Sequence, residues 1–282
     1  MNNRSNFVFL INQKIYEENK RIISYNFSMM TFFIILISLV ATFVGSISGI
    51  GGGVLIKPVM DAVYDATSSQ ISFYSGTTVL TMTIVSLLRS RKEKLDPRGI
   101  YLAIGGAIGG FAGKKVFDIA LKSIGNVGLI QNIIMVILTV LVLIYTLKKD
   151  TIKTKDFKNP FASLGIGLFL GVASSFLGIG GGPINLMFLS YFFSMDTKTA
   201  ALSSLYIIFF SQTVSFVSSV VTRTIPEIDI VLLLSMMTCA VVGATVGRMV
   251  SKKLSNKGVD KLFMGLLAVI ILISIYNCFR FA

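Results

Sequence analysis

Gly49-Ile50-Gly51-Gly52-Gly53 and Gly178-Ile179-Gly180-Gly181-Gly182 are the same five residues written twice, 129 positions apart, each inside a long apolar stretch. The likeness begins earlier, with Val44-Gly45-Ser46-Ile47-Ser48 before the first copy and Ala173-Ser174-Ser175-Phe176-Leu177 before the second. Glycine costs a helix interior roughly 1 kcal/mol per residue against alanine. A chain that places three in a row at matching points of its two halves is breaking two membrane helices. Many secondary transporters build a substrate site in this way.

The surrounding residues supply the membrane. Of 282 residues, 54% are hydrophobic and 14% charged, and the mean hydropathy is +0.80. A soluble domain carries about 25% charged residues, so the chain reads as an all-α integral membrane protein. Stretches free of Asp, Glu, Lys and Arg run 22–56, 66–88, 99–113, 123–147, 159–195, 199–222, 230–247 and 262–279. About 20 apolar residues suffice to cross the hydrocarbon. The stretches 22–56 and 159–195 are far longer and contain the triple glycines, so each holds a full span, a break and a surplus half-helix. The stretch 99–113 is short, and Lys114 and Lys115 extend it by snorkelling.

The expectation is eight transmembrane segments arranged as two homologous four-helix halves with glycine-broken first helices. The boundaries are a polar N-terminal tail at 1–28, a first repeat at 29–147, a charged linker at 148–160 and a second repeat at 161–282. Gly76-Thr77-Thr78-Val79-Leu80 resembles Leu202-Ser203-Ser204-Leu205-Tyr206 at an offset of 126. Gly109, Gly113 and Lys114 of the third segment resemble Gly243, Gly247 and Arg248 of the seventh at an offset of 134.

The formal charge of +13 resides in loops between apolar spans, which is the positive-inside bias and not a nucleic-acid surface. With eight crossings, the count favours both termini in the cytoplasm of a multi-pass cell-membrane protein. Residues 1–28 show no signal-peptide pattern. Cys239 and Cys278 lie in apolar spans and make neither a disulfide framework nor a metal site. Histidine is absent, which removes the commonest general base and metal ligand. No enzyme activity, metal or cofactor is expected. The glycine runs match neither a dinucleotide fingerprint nor a P-loop.

A helix break leaves free N–H groups, and partial positive charge, at the start of the next half-helix. Glycine lets a ligand approach that backbone closely, and such amide clusters suit an oxyanion. The candidate substrate-binding residues are therefore Gly51, Gly52, Gly53, Gly180, Gly181 and Gly182. The dense hydroxyls of the second and sixth segments add Thr77, Thr78, Ser203 and Ser204, and Asn185 is a lone amide in an apolar run. The competing readings are close packing through small residues and hydroxyl back-bonding to the preceding turn. Lys57, Lys114 and Arg248 lie closest to the spans and either snorkel or attract an anion at the pore mouth. Asp61 and Asp65 belong either to a solvated loop or to a proton path. The Gly-x-x-x-Gly runs at 45–49, 105–113, 167–171 and 243–247 read as packing surfaces.

This duplicated order of glycine breaks, hydroxyl pairs and glycine-rich third segments resembles the sulfite exporter TauE/SafE family, also called the toluene-sulfonate uptake permease family, over nearly all of 29–280. Leu202 departs from it, standing where a small residue is expected before the hydroxyl pair. The resemblance implies a bacterial or archaeal plasma-membrane transporter of sulfite, sulfonates, sulfoacetate or related organic anions. The expected function is a secondary transporter of a small anion working by alternating access, coupled to a proton or sodium ion. An anion channel and a non-transporting membrane scaffold are the alternatives. The expected partners are the anion and the lipid bilayer, with no nucleic acid.

Overall fold

The computed structural model describes residues 29–281; the polar tail 1–28 lies outside the described residues. Among these, ten helices and no strands are present. The first five are α1 (Met29–Ser48), α2 (Gly53–Val63), α3 (Ser68–Arg89), α4 (Gly99–Ser123) and α5 (Val127–Lys148). The next five are α6 (Pro160–Leu177), α7 (Gly182–Phe193), α8 (Thr197–Val221), α9 (Ile230–Lys253) and α10 (Asn256–Phe281). The order long, short, long, long, long thus occurs twice. Seven of the helices are long and apolar enough to cross a membrane. The eighth long helix, α4, has 25 residues but carries Lys114, Lys115 and Asp118 in its second half, so eight spans is not the count that length and composition give.

Local chemistry sets the helix starts. Thr67 and Gln70 form a reciprocal capping box at α3, and Asp196 caps α8 through the Lys198 amide. Asn159 caps α6, with Pro160 in its first turn, where a missing N–H costs nothing. The interior is apolar, as in a soluble bundle, but the exterior is apolar too, and small hydroxyls are among the polar groups taken inside. Ile, Leu, Val and Phe side chains cover the outside, while Ser38, Thr42, Ser46, Thr83, Ser174 and Ser211 are fully buried.

Contacts fix the direction of each helix. α9 runs parallel to α3, since Asp229 at its start meets Tyr74 and Lys252 at its end reaches the Arg89 carbonyl. It also runs parallel to α1: Gly243 lies against Leu39 and Thr42, and Gly247 against Phe43 and Ser46. α4 runs parallel to α6 and α8, with Gly105, Gly109 and Gly113 against Leu164, Leu168 and Val172, and with Gly106 and Gly110 against Ile207 and Ser211. α3 and α8 are antiparallel, pairing Phe73 with Phe216 and Gly76 with Gln212. α5 and α10 are antiparallel too, joined by Asn132 to Asn277 and by Lys149 to Asp260.

The breaks do not merely interrupt α1 and α6; they reverse the chain. Gly52 lies against Ala41 and Thr42 of α1, and α2 then returns until the Tyr64 ring meets Tyr74 near the start of α3. After α6 ends at Gly178 beside Ser72, α7 turns back toward the linker, where Phe157 N–H bonds the Phe192 carbonyl. Each half is therefore a hairpin followed by three full-length helices. An odd number of traverses makes α6–α10 run opposite to α1–α5, so the repeats are inverted, whereas four crossings per half would have made them parallel. The bundle has a terminal end, where α1 starts and α10 finishes, and a linker end, bearing 149–159. At the linker end Arg98 ties its own loop to the linker through Asp96 and Asp156 at 2.8 and 2.7 Å, and its hydrogen bonds hold the Asp96 carboxyl below the usual carboxylate range.

The halves interlock and do not stand as separate bundles. α4 packs on α6 and α8 of the other half, and α9 packs on α1 and α3. The small-residue stripes allow this, because a Cβ on Gly109 would stand 2.1 Å from the Leu168 carbonyl oxygen. Gly109→Val is expected to cost more than about 3 kcal/mol through backbone collision, lowering the melting temperature in detergent or abolishing monodisperse elution. Gly165→Ala, on the same pair of helices but facing open space, is expected to be neutral or slightly stabilising.

Candidate functional site

The two breaks meet at the centre of the bundle. Gly51 lies against the Gly180 carbonyl oxygen, and both glycines pack on Val79 of α3 and Ile208 of α8. Gly51 and Gly180 have φ of +81° and +75°, and Gly181 +98°, a region in which side-chain-bearing residues are strained. α2 and α7 start at Gly53 and Gly182 with no side-chain cap, so the positive ends of two half-helix dipoles face one another. Gly52 is held by α1, Gly53 by Ile179 and Ser75, and Gly182 by Val54. The six glycines thus come together, but as a closed, packed contact.

Open space lies on the terminal side of that contact. A cleft of about 460 Å3, mouth included, is lined by Ser69, Ser72, Gly76 and Thr77 of α3, Lys114 of α4, Ser175 of α6 and Gln212, Ser215 and Ser219 of α8, and it reaches Gly178. The hydroxyls of Ser72 and Ser175 are buried without a hydrogen-bond partner. Unpaired buried donors are costly, and here they line the cleft. Lys114 Nζ is held by Asp118 at 2.6 Å and lies 5.4 Å from the Phe117 ring centre. Gly76 keeps the cleft open, since a Cβ there would stand 3.0 Å from Gln212 Oε1. Hydroxyls, an amide and one ammonium are the donors a small oxyanion needs without a large uncompensated charge.

The linker end has a related cleft, of about 620 Å3 with its mouth. It is lined by Glu93, Lys198, Arg248, Ser251 and Lys252. Arg248 Nη2 bonds Glu93 Oε2 at 2.7 Å, and Ser86 bonds Ser46 at 3.1 Å beneath it. Arg248 corresponds to Lys114 at the offset of 134. Leu205, fully buried, stands where the other half has Gly76.

The remaining predicted residues divide. Thr77 and Lys114 share the terminal cleft, and Arg248 marks the other. Thr78 bonds back to the Tyr74 carbonyl at 2.7 Å, the packing role. Asn185 donates to Ser204 at 3.1 Å on the linker side of the break, leaving Asn185 Oδ1 and Ser203 Oγ buried and unpartnered. Lys57 is not at a mouth: it is buried on α2 and paired with Asp61, which lies in the helix and not in a solvated loop. The hydroxyl pairs are also not equivalent. Val79 and Ile208, and the caps Thr67 and Asp196, are 129 apart, so Ser203-Ser204 stands opposite Tyr74-Ser75 and the offset of 126 is three residues out of register. Ser69, Ser72, Ser175 and Ser219 also line the terminal cleft, and no motif in the sequence marks them as site residues. Ser175 lies inside the duplicated stretch, about one turn before its glycine break.

Comparison with curated proteins and with solved structures returns no match. A family model, sulfite exporter TauE/SafE, matches residues 34–274. That span runs from α1 into α10 and takes in both glycine breaks and both clefts, so the chain belongs to the TauE/SafE family of membrane transporters.

Proposed function

We propose that the protein is a secondary transporter of small sulfur-containing oxyanions, with the anion held where the terminal cleft meets the glycine contact. The observation that carries this reading is the pair of unpartnered buried hydroxyls, Ser72 and Ser175, facing Lys114 across a cleft between the two halves. The facing half-helix N-termini beneath it add positive potential. Inverted halves supply a mechanism: the terminal cleft and the related linker-end cleft, which the Arg248–Glu93 ion pair lines, take turns giving access to the glycine contact as the halves rock. The closed contact between Gly51 and Gly180 favours this over a continuous pore.

The same geometry suggests an orientation. Lys57, Lys114, Lys115, Lys122, Arg223 and Arg280 lie toward the terminal end, and every other lysine and arginine of 29–281 lies toward the linker end. The positive-inside bias then places the linker end in the cytoplasm and the terminal end outside. This reverses the orientation that eight crossings suggested, because α2 and α7 each return the chain.

Uptake of 35S-labelled sulfite, sulfate and methanesulfonate into proteoliposomes is expected to saturate for at least one of them; no flux of any by folded protein overturns the reading. Lys114→Gln removes a charged donor worth about 1.5–3 kcal/mol, so the half-saturating concentration of that anion should rise roughly ten- to a hundredfold. Ser72→Ala combined with Ser175→Ala should raise it about tenfold, and unchanged kinetics in both variants would remove the cleft as the site. Alkaline phosphatase fused to the C-terminus should be active in cells, whereas a fluorescent, phosphatase-inactive terminus would invert the orientation.

A further inference from the structure

The half-helix α2 carries an ion pair that faces neither lipid nor water. The Lys57 and Asp61 side chains are 2% and 1% exposed, and Lys57 Nζ lies 3.3 and 3.2 Å from the two carboxylate oxygens. Asn132 of α5 donates to Asp61 Oδ2 at 3.1 Å. Asn277 of α10 donates to Asn132 Oδ1 at 3.2 Å and to the Pro58 carbonyl at 2.8 Å.

The molecule contains its own control. At the offset of 129, Leu186 and Ser190 of α7 stand where α2 has Lys57 and Asp61. At 134, Leu266 and Leu143 replace Asn132 and Asn277. These leucines belong to an apolar cluster at the linker end. A half-helix therefore docks on α5 and α10 without charge, and folding does not require the polar network of the first half. Ionisable groups inside a membrane domain are expensive and mark ion or proton paths.

We propose that Asp61 is a proton-binding site that couples proton movement to anion movement; this rests on the transporter reading. A proton from water at the terminal end adds to an Asp61 carboxylate oxygen, giving the neutral acid, while Lys57 keeps its own proton. The Lys57 ammonium then lacks its counter-charge. It lies one to two helical turns from Gly53, about 6–12 Å at 1.5 Å per residue, where a low dielectric screens it little. An anion at the cleft floor restores neutrality. Proton and anion each raise the other's affinity by the same factor, so they load and leave together as a symport.

The other ionisable groups near Asp61 are already engaged or lie beyond the helix. Arg280 of α10 donates to the carbonyls of Asp61 and Ala62. Tyr74 of α3 accepts from the Asp229 amide, and Tyr64 and Asp65 follow the end of α2. α5 presents Asn132, which is uncharged, and α7 has no charged residue.

The test compares two modes in proteoliposomes with the same 35S-labelled anions: counterflow without a gradient, and accumulation driven by an acid exterior. Wild type is expected to do both. Asp61→Asn should keep counterflow within about twofold and lose gradient-driven accumulation. Lys57→Leu with Asp61→Ser, which copies α7 and removes charge in a pair, should elute as a monodisperse species and also lose accumulation, with its counterflow saturating only at higher anion concentration because the recruiting ammonium is gone. It decides the matter if Asp61→Asn does not fold. Accumulation retained by a folded variant, complete loss of counterflow along with accumulation, or wild-type counterflow with no gradient-driven accumulation each overturns the coupling role. Wild type silent in both modes overturns the transporter reading beneath it.

Discussion

Inside a bilayer no water is available to the backbone, so every N–H and C=O must find a partner within the protein or line a cavity. Two broken helices are tolerable only where other helices enclose them, and this protein brings its two breaks against each other. Gly51 rests on the Gly180 carbonyl, with Val79 and Ile208 closing the sides. The hairpins, the inverted course of the halves and the position of the cleft all follow from burying that contact.

Enclosure of this kind needs helices that approach to backbone distance. The third long helix of each half provides them, with Gly105, Gly109 and Gly113 of α4 on α6 and Gly243 and Gly247 of α9 on α1. Because each half supplies the support for the other's broken hairpin, neither half is a self-sufficient bundle. In lipid, where no hydrophobic force draws helices together, such van der Waals contact and interhelical hydrogen bonds carry the association. Thr42, Ser46, Ser174 and Gln212 supply those hydrogen bonds across the interfaces.

The two halves repeat the same order of helices but differ in several side chains at matching positions. Gly76, which lines the terminal cleft, stands where α8 has the buried Leu205. Lys57 and Asp61 against Leu186 and Ser190 give one half-helix a charge pair and the other none. The two halves thus share an order of helices and differ in the polar and charged side chains that line their clefts and half-helices.

The sequence alone determined the membrane class, the helical content, the two breaks, the packing stripes and the family, because each depends on local composition or on spacing along one helix. It did not determine direction. Whether a half-helix after a triple glycine continues or turns back depends on what it packs against, and that choice decides repeat parity, the ends of the bundle and the sharing of charge between them. The hydroxyl pairs show the same limit: a three-residue slip moves Ser203-Ser204 from opposite Thr77-Thr78 to opposite Tyr74-Ser75, nearly a full helical turn, and small polar residues recur too often along α3 and α8 for composition to fix it. Lys57 and Asp61 looked like an interfacial lysine and a loop carboxylate for the same reason. Only the tertiary structure, by folding α2 back between α5 and α10, made them a buried pair.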